Sequence, residues 1–151
     1  SVKDQSPKAL DRGLRTRTAI ASVLAMQPSI LIIDEPTTGL DRSQSLEIFG
    51  ILEQLAQQGR TMIFISHEMD LVAQFAQRVV VMHKGQVLLD GPPAFVFSQE
   101  ETLRQASLAP PEIHRLCRQL QWPLWDGLRT TNDLAQVIAS QLERKPTYGS
   151  L

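Results

Sequence analysis

Two adjacent carboxylates, Asp34 and Glu35, directly follow the apolar run Ile30–Ile33. An apolar run that ends in acids predicts a strand buried on both faces, with the two acids at its carboxyl end. Open α/β sheets bind their ligands at that edge. There the first acid can hold Mg²⁺, which prefers oxygen ligands, and the second can polarise a water toward phosphorus. The alternative is a pair of capping residues that begins the next helix.

A histidine in a comparable position favours the site over the cap. His67 follows a second buried strand, predicted at Thr61–Ile65, through Ser66. If the two strands are neighbours, His67 lies at the same edge as Asp34 and Glu35. An imidazole there can hydrogen-bond a phosphate during transfer and hold the attacking water. A lone histidine is usually structural or solvated, but two strand ends that deliver Asp-Glu and Ser-His to one edge indicate a site.

The elements that must position these residues are a strand, a helix and a second strand. Apolar residues recur at helical spacing through 42–58, and Gly59 stands where a C-cap belongs. Together they predict a βαβ unit with parallel strands. The other predicted elements are helices at 15–26 and 70–77, a hairpin of Val79–His83 and Gln86–Asp90 around Lys84–Gly85, and helices near 94–106, 111–121 and 132–143, the last capped by Thr131. The predicted class is α/β, with a parallel sheet and a helical carboxyl-terminal part.

These motifs, in this order, resemble those of a known family. The segment Asp34–Asp41 has the sequence DEPTTGLD, which resembles the Walker B motif and D-loop of ABC ATPases. Ser66–Glu68 resembles their switch-histidine loop. The strand pair over Arg78–Val87 and the turn Gly91–Pro93 are similar to the segments that follow in that family. The resemblance covers roughly residues 7–97.

The resemblance implies a P-loop NTPase-like fold with an ATP site that uses Mg²⁺. Asp34 would bind the magnesium ion, Glu35 would be the general base, and His67 would contact the γ-phosphate. Asp41 would be the D-loop residue that faces a second ATPase subunit, in a homodimer or a heterodimer. By the same resemblance, the subunit would bind transmembrane transporter subunits at the cytoplasmic face of the membrane.

The signature segment departs from the family pattern. Where the family usually has Leu-Ser-Gly-Gly-Gln, residues 10–14 have the sequence LDRGL. In the family this segment begins a helix that grips the γ-phosphate bound to the opposite subunit, so Asp11, Arg12 and Gly13 occupy cofactor-binding positions. On this resemblance, Asp11 would put a carboxylate against that phosphate, and Arg12 would fill space that a glycine leaves open. We therefore expect a variant signature with weakened function.

The sequence contains no P-loop. That motif needs Gly-x-x-x-x-Gly-Lys followed by Ser or Thr, and no two of the 8 glycines stand five residues apart. In the family the P-loop lies upstream of the signature. We therefore expect a fragment that lacks it, through truncation or gene decay, and that is inactive in isolation.

The carboxyl-terminal part resembles the helical extension of energy-coupling-factor ATPases, which drive importers of the cobalt, nickel and biotin type. This resemblance rests on Pro110–Leu116, Leu120 and Thr130–Leu134. It predicts two domains, an ABC ATPase part at 1–97 and the extension at 98–151. The alternative for the second is a generic helical cap.

The composition argues against several other functions. The formal net charge of −1 gives no indication of a nucleic-acid partner. Cys117 is the only cysteine, which excludes an internal disulfide and a cysteine-rich metal site. The competing functions are a soluble ABC ATPase of the translation-factor or DNA-maintenance kind, and a non-enzymatic remnant that dimerises or regulates.

Overall fold

A computed structural model describes residue 6 and residues 9–121 and 128–143. The described chain contains α1 (Arg12–Leu24), β1 (Ile30–Asp34), α2 (Arg42–Gln57), β2 (Thr61–Ile65), α3 (Met69–Phe75), β3 (Val79–His83), β4 (Gln86–Gly91), α4 (Pro93–Ser98), α5 (Glu100–Gln105), α6 (Glu112–Gln119) and α7 (Thr131–Glu143). The predicted α/β class is confirmed. The helix predicted near 94–106 is divided into α4 and α5, because Gln99 leaves the helical conformation with φ −91° and ψ 58°.

β1 and β2 form a parallel pair that α2 connects, so the predicted βαβ unit is confirmed. Pairing runs in register along both strands, with Ile30 opposite Thr61 and Asp34 opposite Ile65. The strands therefore end side by side, and the residues that follow them lie at one edge of the sheet. A backbone hydrogen bond of 2.9 Å from Glu35 N to Ile65 O continues the pairing beyond β1.

The helix between the strands begins and ends at residues suited to those positions. Asp41 is the N-cap of α2, and its Oδ1 accepts a hydrogen bond from Gln44 N at 2.8 Å. This bond satisfies one of the N–H groups that the first turn of a helix leaves without a partner. Gly59 follows the helix with φ +87°, a left-handed conformation that glycine adopts easily, as predicted for a C-cap.

The inner face of α2 supplies most of the core beside β2. Ile48, Phe49 and Leu52 are buried on it. The ring of Phe49 meets that of Phe64 in β2 edge-on, with the ring centroids 4.9 Å apart. Such an aromatic pair contributes about 0.5–1.5 kcal/mol beyond the area it buries. The amphipathic pattern that predicted the helix therefore also fixes the side of the sheet on which it packs.

The prediction that both strands are buried on both faces is wrong for the described chain. Ile30 and Ile32 in β1 are 56% and 64% exposed, and Ile63 and Ile65 in β2 are 46% and 54% exposed. Alternate residues share a face, and Ile32 lies opposite Ile63, so all four side chains lie on one face of the sheet. Leu31, on the other face, is buried. The described residues cover only one of the two faces.

The chain divides into two compact units, Ser1–His67 and Glu68–Leu151. The first contains the parallel pair, and the second contains the antiparallel hairpin of β3 and β4 and the helices after it. The hairpin turns at Lys84 and Gly85, as predicted. The domain boundary predicted at 97/98 separates an ATPase part from an extension and stays a prediction. Parts of both predicted domains lie outside the described residues, at 1–5, 7–8, 122–127 and 144–151.

The residues after Gly91 are helical wherever the structure describes regular elements, as predicted. The N-cap of α7, however, is Thr130 and not Thr131. Thr130 Oγ1 accepts a hydrogen bond from Asp133 N at 3.2 Å, and Asp133 Oδ2 accepts one from Thr130 N at 2.8 Å. This reciprocal pair satisfies two N–H groups at the start of the helix.

A buried histidine joins two helices of the second unit. His114 in α6 has a side chain only 4% exposed, and its Nε2 lies 3.4 Å from Oε1 of Glu100 in α5. Burial lowers the pKa of His114, and the neighbouring Glu100 carboxylate offsets part of that effect. The pKa of Glu100 is lowered, first by its hydrogen bond from Arg118. The folded unit therefore disfavours protonation of His114.

We expect this burial to make stability depend on pH. Because the unfolded chain binds a proton at His114 more tightly than the folded chain does, the stabilisation is complete above the ordinary pKa of 6.5. It is lost as the pH falls through the lowered pKa of the folded state. The measurement is urea unfolding at about pH 8 and about pH 5, where His114→Leu should show a smaller loss of unfolding free energy than the wild type. An equal loss in both proteins would contradict the assignment.

Candidate functional site

Asp34, Glu35 and His67 come together at the carboxyl edge of the β1–β2 sheet. His67 Nδ1 lies 2.8 Å from Glu35 Oε1. Asp34, the last residue of β1, is exposed at the same edge. The predicted geometry is confirmed, since the two strand ends deliver Asp-Glu and Ser-His to one place. The catalytic and metal-binding roles of these residues stay predictions.

The bond between Glu35 and His67 fixes the chemical form of both side chains. An ionised carboxylate only accepts hydrogen bonds, so His67 Nδ1 carries the proton that is shared with Glu35. This bond is the largest influence that lowers the pKa of the Glu35 carboxyl, and it outweighs the opposing effect of burial. Glu35 is therefore ionised at neutral pH, which is the form that a general base requires.

The backbone at Glu35 makes a sharp turn as it leaves β1. Glu35 has φ +47°, a left-handed conformation that is uncommon for residues other than glycine. Two backbone hydrogen bonds close the turn, from Thr38 N to Glu35 O at 3.3 Å and from Leu40 N to Thr37 O at 3.0 Å. Conformations of this kind concentrate at functional sites, where the surrounding structure holds them in place.

Thr38 also contacts the carboxylate, a role that its residue type alone does not predict. Its Oγ1 donates a hydrogen bond to Glu35 Oε2 at 3.1 Å. Each oxygen of Glu35 therefore has its own donor. The signal that could have identified Thr38 is its spacing of three residues from Glu35, since a hydroxyl commonly reaches back over a turn.

A magnesium ion could bind at Asp34 with few ligands from the protein. Among the described residues, no group of three or more His, Cys, Asp or Glu side chains could enclose a metal ion. Mg²⁺ commonly keeps several waters and binds through one or two carboxylates together with substrate phosphates. An exposed carboxylate at the sheet edge suits that mode, in which Asp34 would supply one oxygen ligand.

Asp11 occupies the N-terminus of α1 with its own carboxylate. Oδ1 accepts a hydrogen bond from Leu14 N at 2.9 Å, which makes Asp11 the N-cap. The start of a helix attracts anions through its unpaired N–H groups and its dipole. This negative charge therefore lies where the resemblance would place a phosphate. The predicted phosphate contact of Asp11 stays a prediction, and the cap weighs against it.

The next two residues of α1 pack against the segment after β1. A Cβ atom added to Gly39, which has φ +74°, would clash with the guanidinium of Arg12. Gly13 is buried, and a Cβ there would come within 3.2 Å of the Gln44 side chain. Asp41, the predicted partner-facing residue, is exposed. The segment that resembles the signature therefore packs against the segment that resembles the D-loop of the same chain. The phosphate-binding role of Arg12 and Gly13 stays a prediction.

The contact between Arg12 and Gly39 predicts a coupled effect on stability. Gly39→Ala should destabilise the fold by about 1–2 kcal/mol, because alanine is strained in the left-handed conformation and its methyl group displaces Arg12. The cost should be smaller in an Arg12→Ala background, which a double-mutant cycle of urea unfolding measures. Gly50→Ala is the matched control, since Gly50 lies in α2 with no atom within 4 Å of an added Cβ, and it should stabilise the fold. If the effects of Gly39→Ala and Arg12→Ala on the free energy of unfolding are additive, the contact between the two residues is contradicted.

Comparison with known proteins finds sequence similarity to ATP-binding proteins of transporters. The chain is 46% identical over 120 residues to the energy-coupling factor transporter ATP-binding protein EcfA2 of Clostridium tetani, covering 79% of this chain and 42% of that protein. It is 37% identical over 148 residues to EcfA2 of Acetivibrio thermocellus, covering 97% of this chain and 51% of that protein. No protein-family model matches the chain.

A solved structure gives the same result for the fold. CbiO1 of Clostridium perfringens, described as part of the ABC transporter complex cbiONQ, is 39% identical with a TM-score of 0.60. The match covers 77% of this chain and 47% of that one. The chain spans about half or less of the length of the curated relatives it matches. None of the described helices is long and apolar enough to cross a membrane.

Proposed function

The chain is homologous to ABC transporter ATP-binding proteins, among them energy-coupling factor ATPases, and from this we propose that it supplies the magnesium-and-water half of an ATP site. The observation that carries the proposal is the hydrogen bond between Glu35 and His67 at the edge of a parallel sheet. The reaction is hydrolysis of ATP, coupled in the whole assembly to import of a substrate.

Glu35 is the general base in this proposal. Its carboxylate is ionised and lies where two strand ends meet, and a carboxylate can accept about four hydrogen bonds, more than the three that His67 and Thr38 donate to it. A water that donates to this carboxylate is oriented for attack on the γ-phosphorus and loses its proton to Glu35. A positioned base of this kind commonly accelerates a reaction by about 10²–10⁴-fold.

His67 and Asp34 complete the arrangement. With its proton on Nδ1 toward Glu35, the neutral imidazole has Nε2 as an acceptor, and in the protonated ring Nε2 becomes a donor for a phosphate oxygen. Asp34 would hold Mg²⁺, which offsets the charge of the ATP phosphates when bound. The two carboxylates alone would repel a triphosphate.

The proposed partners are a second ATPase subunit and transmembrane transporter subunits at the cytoplasmic face of the membrane. Asp41, and Thr38 and Gly39 in the loop before α2, are exposed and available to a second subunit. The names of the relatives, energy-coupling factor transporter ATP-binding proteins and a part of the ABC transporter complex cbiONQ, support partners that belong to a transporter.

A second candidate function is a subunit that dimerises but whose signature-like segment does not support hydrolysis of the ATP bound to the opposite subunit. The specific observation in its favour is the Asp11 carboxylate at the N-terminus of α1. Asp11→Ser keeps a capping oxygen and removes the charge. If the carboxylate repels the opposite phosphate, this substitution should raise the ATPase rate of the assembled dimer, and an unchanged rate would contradict this candidate.

The 151-residue chain alone should bind ATP–Mg²⁺ weakly and should not turn it over. Phosphoryl transfer depends mainly on positioning and charge stabilisation, and the sequence has no P-loop to supply backbone amides and a lysine. Calorimetry and phosphate release on the purified chain test this. Steady turnover by the chain alone, lost on Glu35→Gln, would show that the site is complete without a P-loop.

A further inference from the structure

The Glu35 carboxylate is held at both oxygens by donors from different elements. His67, just after β2, donates from Nδ1 to Oε1 at 2.8 Å, and Thr38, in the turn after β1, donates from Oγ1 to Oε2 at 3.1 Å. The last torsion of a glutamate side chain is intrinsically broad. A carboxylate bonded at one oxygen can therefore rotate about that torsion, whereas one bonded at both oxygens keeps its plane.

The turn fixes Thr38 relative to Glu35. Thr38 N donates to Glu35 O at 3.3 Å, and the adjacent Thr37 is 1% exposed. The left-handed conformation of Glu35 begins this turn. The hydroxyl therefore reaches the carboxylate from a backbone that is already held, which reduces the entropy cost of the hydrogen bond.

We propose that Thr38 is a positioning residue, whose hydroxyl sets the plane of the Glu35 carboxylate so that Oε1 meets Nδ1 of His67. This role rests on the proposed function, because the orientation of the carboxylate affects hydrolysis only if Glu35 is the base. The direct consequence is the choice of tautomer at His67. The oriented carboxylate holds the imidazole proton on Nδ1, and so determines that Nε2 is the acceptor of the neutral ring.

The test is the tautomer ratio of His67 in the chain itself, measured by long-range ¹H–¹⁵N NMR. The measurement is made at about pH 9, where an imidazole with its ordinary pKa of about 6.5 is neutral, and the two tautomers differ in which ring nitrogen carries the proton. We expect the Nδ1–H tautomer to dominate in the wild type and in Thr38→Ser. In Thr38→Val the ratio should move toward Nε2–H by about fivefold, the effect of one ordinary hydrogen bond.

Two further variants keep the result interpretable. Thr18→Val is the matched control, because the Thr18 hydroxyl donates to the backbone oxygen of Leu14 on an exposed face of α1, and it should leave the ratio unchanged. If thermal unfolding shows that Thr38→Val does not fold, Thr38→Ala tests the same loss of the hydroxyl.

The proposal is overturned if Thr38→Val keeps the wild-type ratio, if Thr18→Val changes the ratio equally, or if the wild type has its proton mainly on Nε2. These outcomes do not depend on ATP. A longer ATPase in which Glu35→Gln retains hydrolysis would overturn the general-base role and leave the tautomer result intact.

Discussion

The parallel, in-register pairing of β1 with β2 is the constraint on which the candidate site depends. The strands end side by side, with Asp34 opposite Ile65, so the next residues of each strand meet at one edge. Glu35 follows the first strand and His67 follows the second, which brings their side chains within hydrogen-bonding distance. A register shift of one residue would also turn alternate side chains to the other face, and would separate the pair.

The turn after β1 orients the Glu35 carboxylate at this edge. It gives Glu35 a left-handed backbone and brings the Thr38 hydroxyl back to the carboxylate. Farther along the same turn, Gly39 leaves space that the Arg12 side chain occupies. The segment between β1 and α2 thus holds the Glu35 carboxylate through Thr38 and packs against the start of α1 through Gly39. A substitution at any of these contacts can therefore shift the position of the carboxylate.

The sequence predicts the positions of the strand ends well and the details of the turn poorly. Apolar runs at a βαβ spacing predicted that Glu35 and His67 lie at one edge of the sheet, and the structure brings them into contact. Thr38 and Arg12 contact their partners because of backbone angles in the turn, which residue types alone do not specify. Continuous apolar runs predicted strands covered on both faces, but the described residues cover one face only, so Ile32 and Ile63 are exposed.

Helix boundaries show a finer limit of the same kind. Two adjacent threonines precede α7, and either could cap it by residue type. The structure selects Thr130, because Asp133 then reaches the backbone N–H of Thr130 and returns the hydrogen bond. A reciprocal contact of this kind depends on the angle at which the chain enters the helix, which the sequence pattern of a single segment does not determine.

The most direct test of Glu35 as the base is phosphate release by a chain extended upstream with a strand and a Gly-x-x-x-x-Gly-Lys-Ser/Thr loop. Glu53→Gln, at an exposed position of α2, is the matched control and should retain hydrolysis. Glu35→Gln should lower the rate by about 10²–10⁴-fold while ATP binding is retained. Hydrolysis at the control rate in Glu35→Gln would contradict the assignment of Glu35 as the general base.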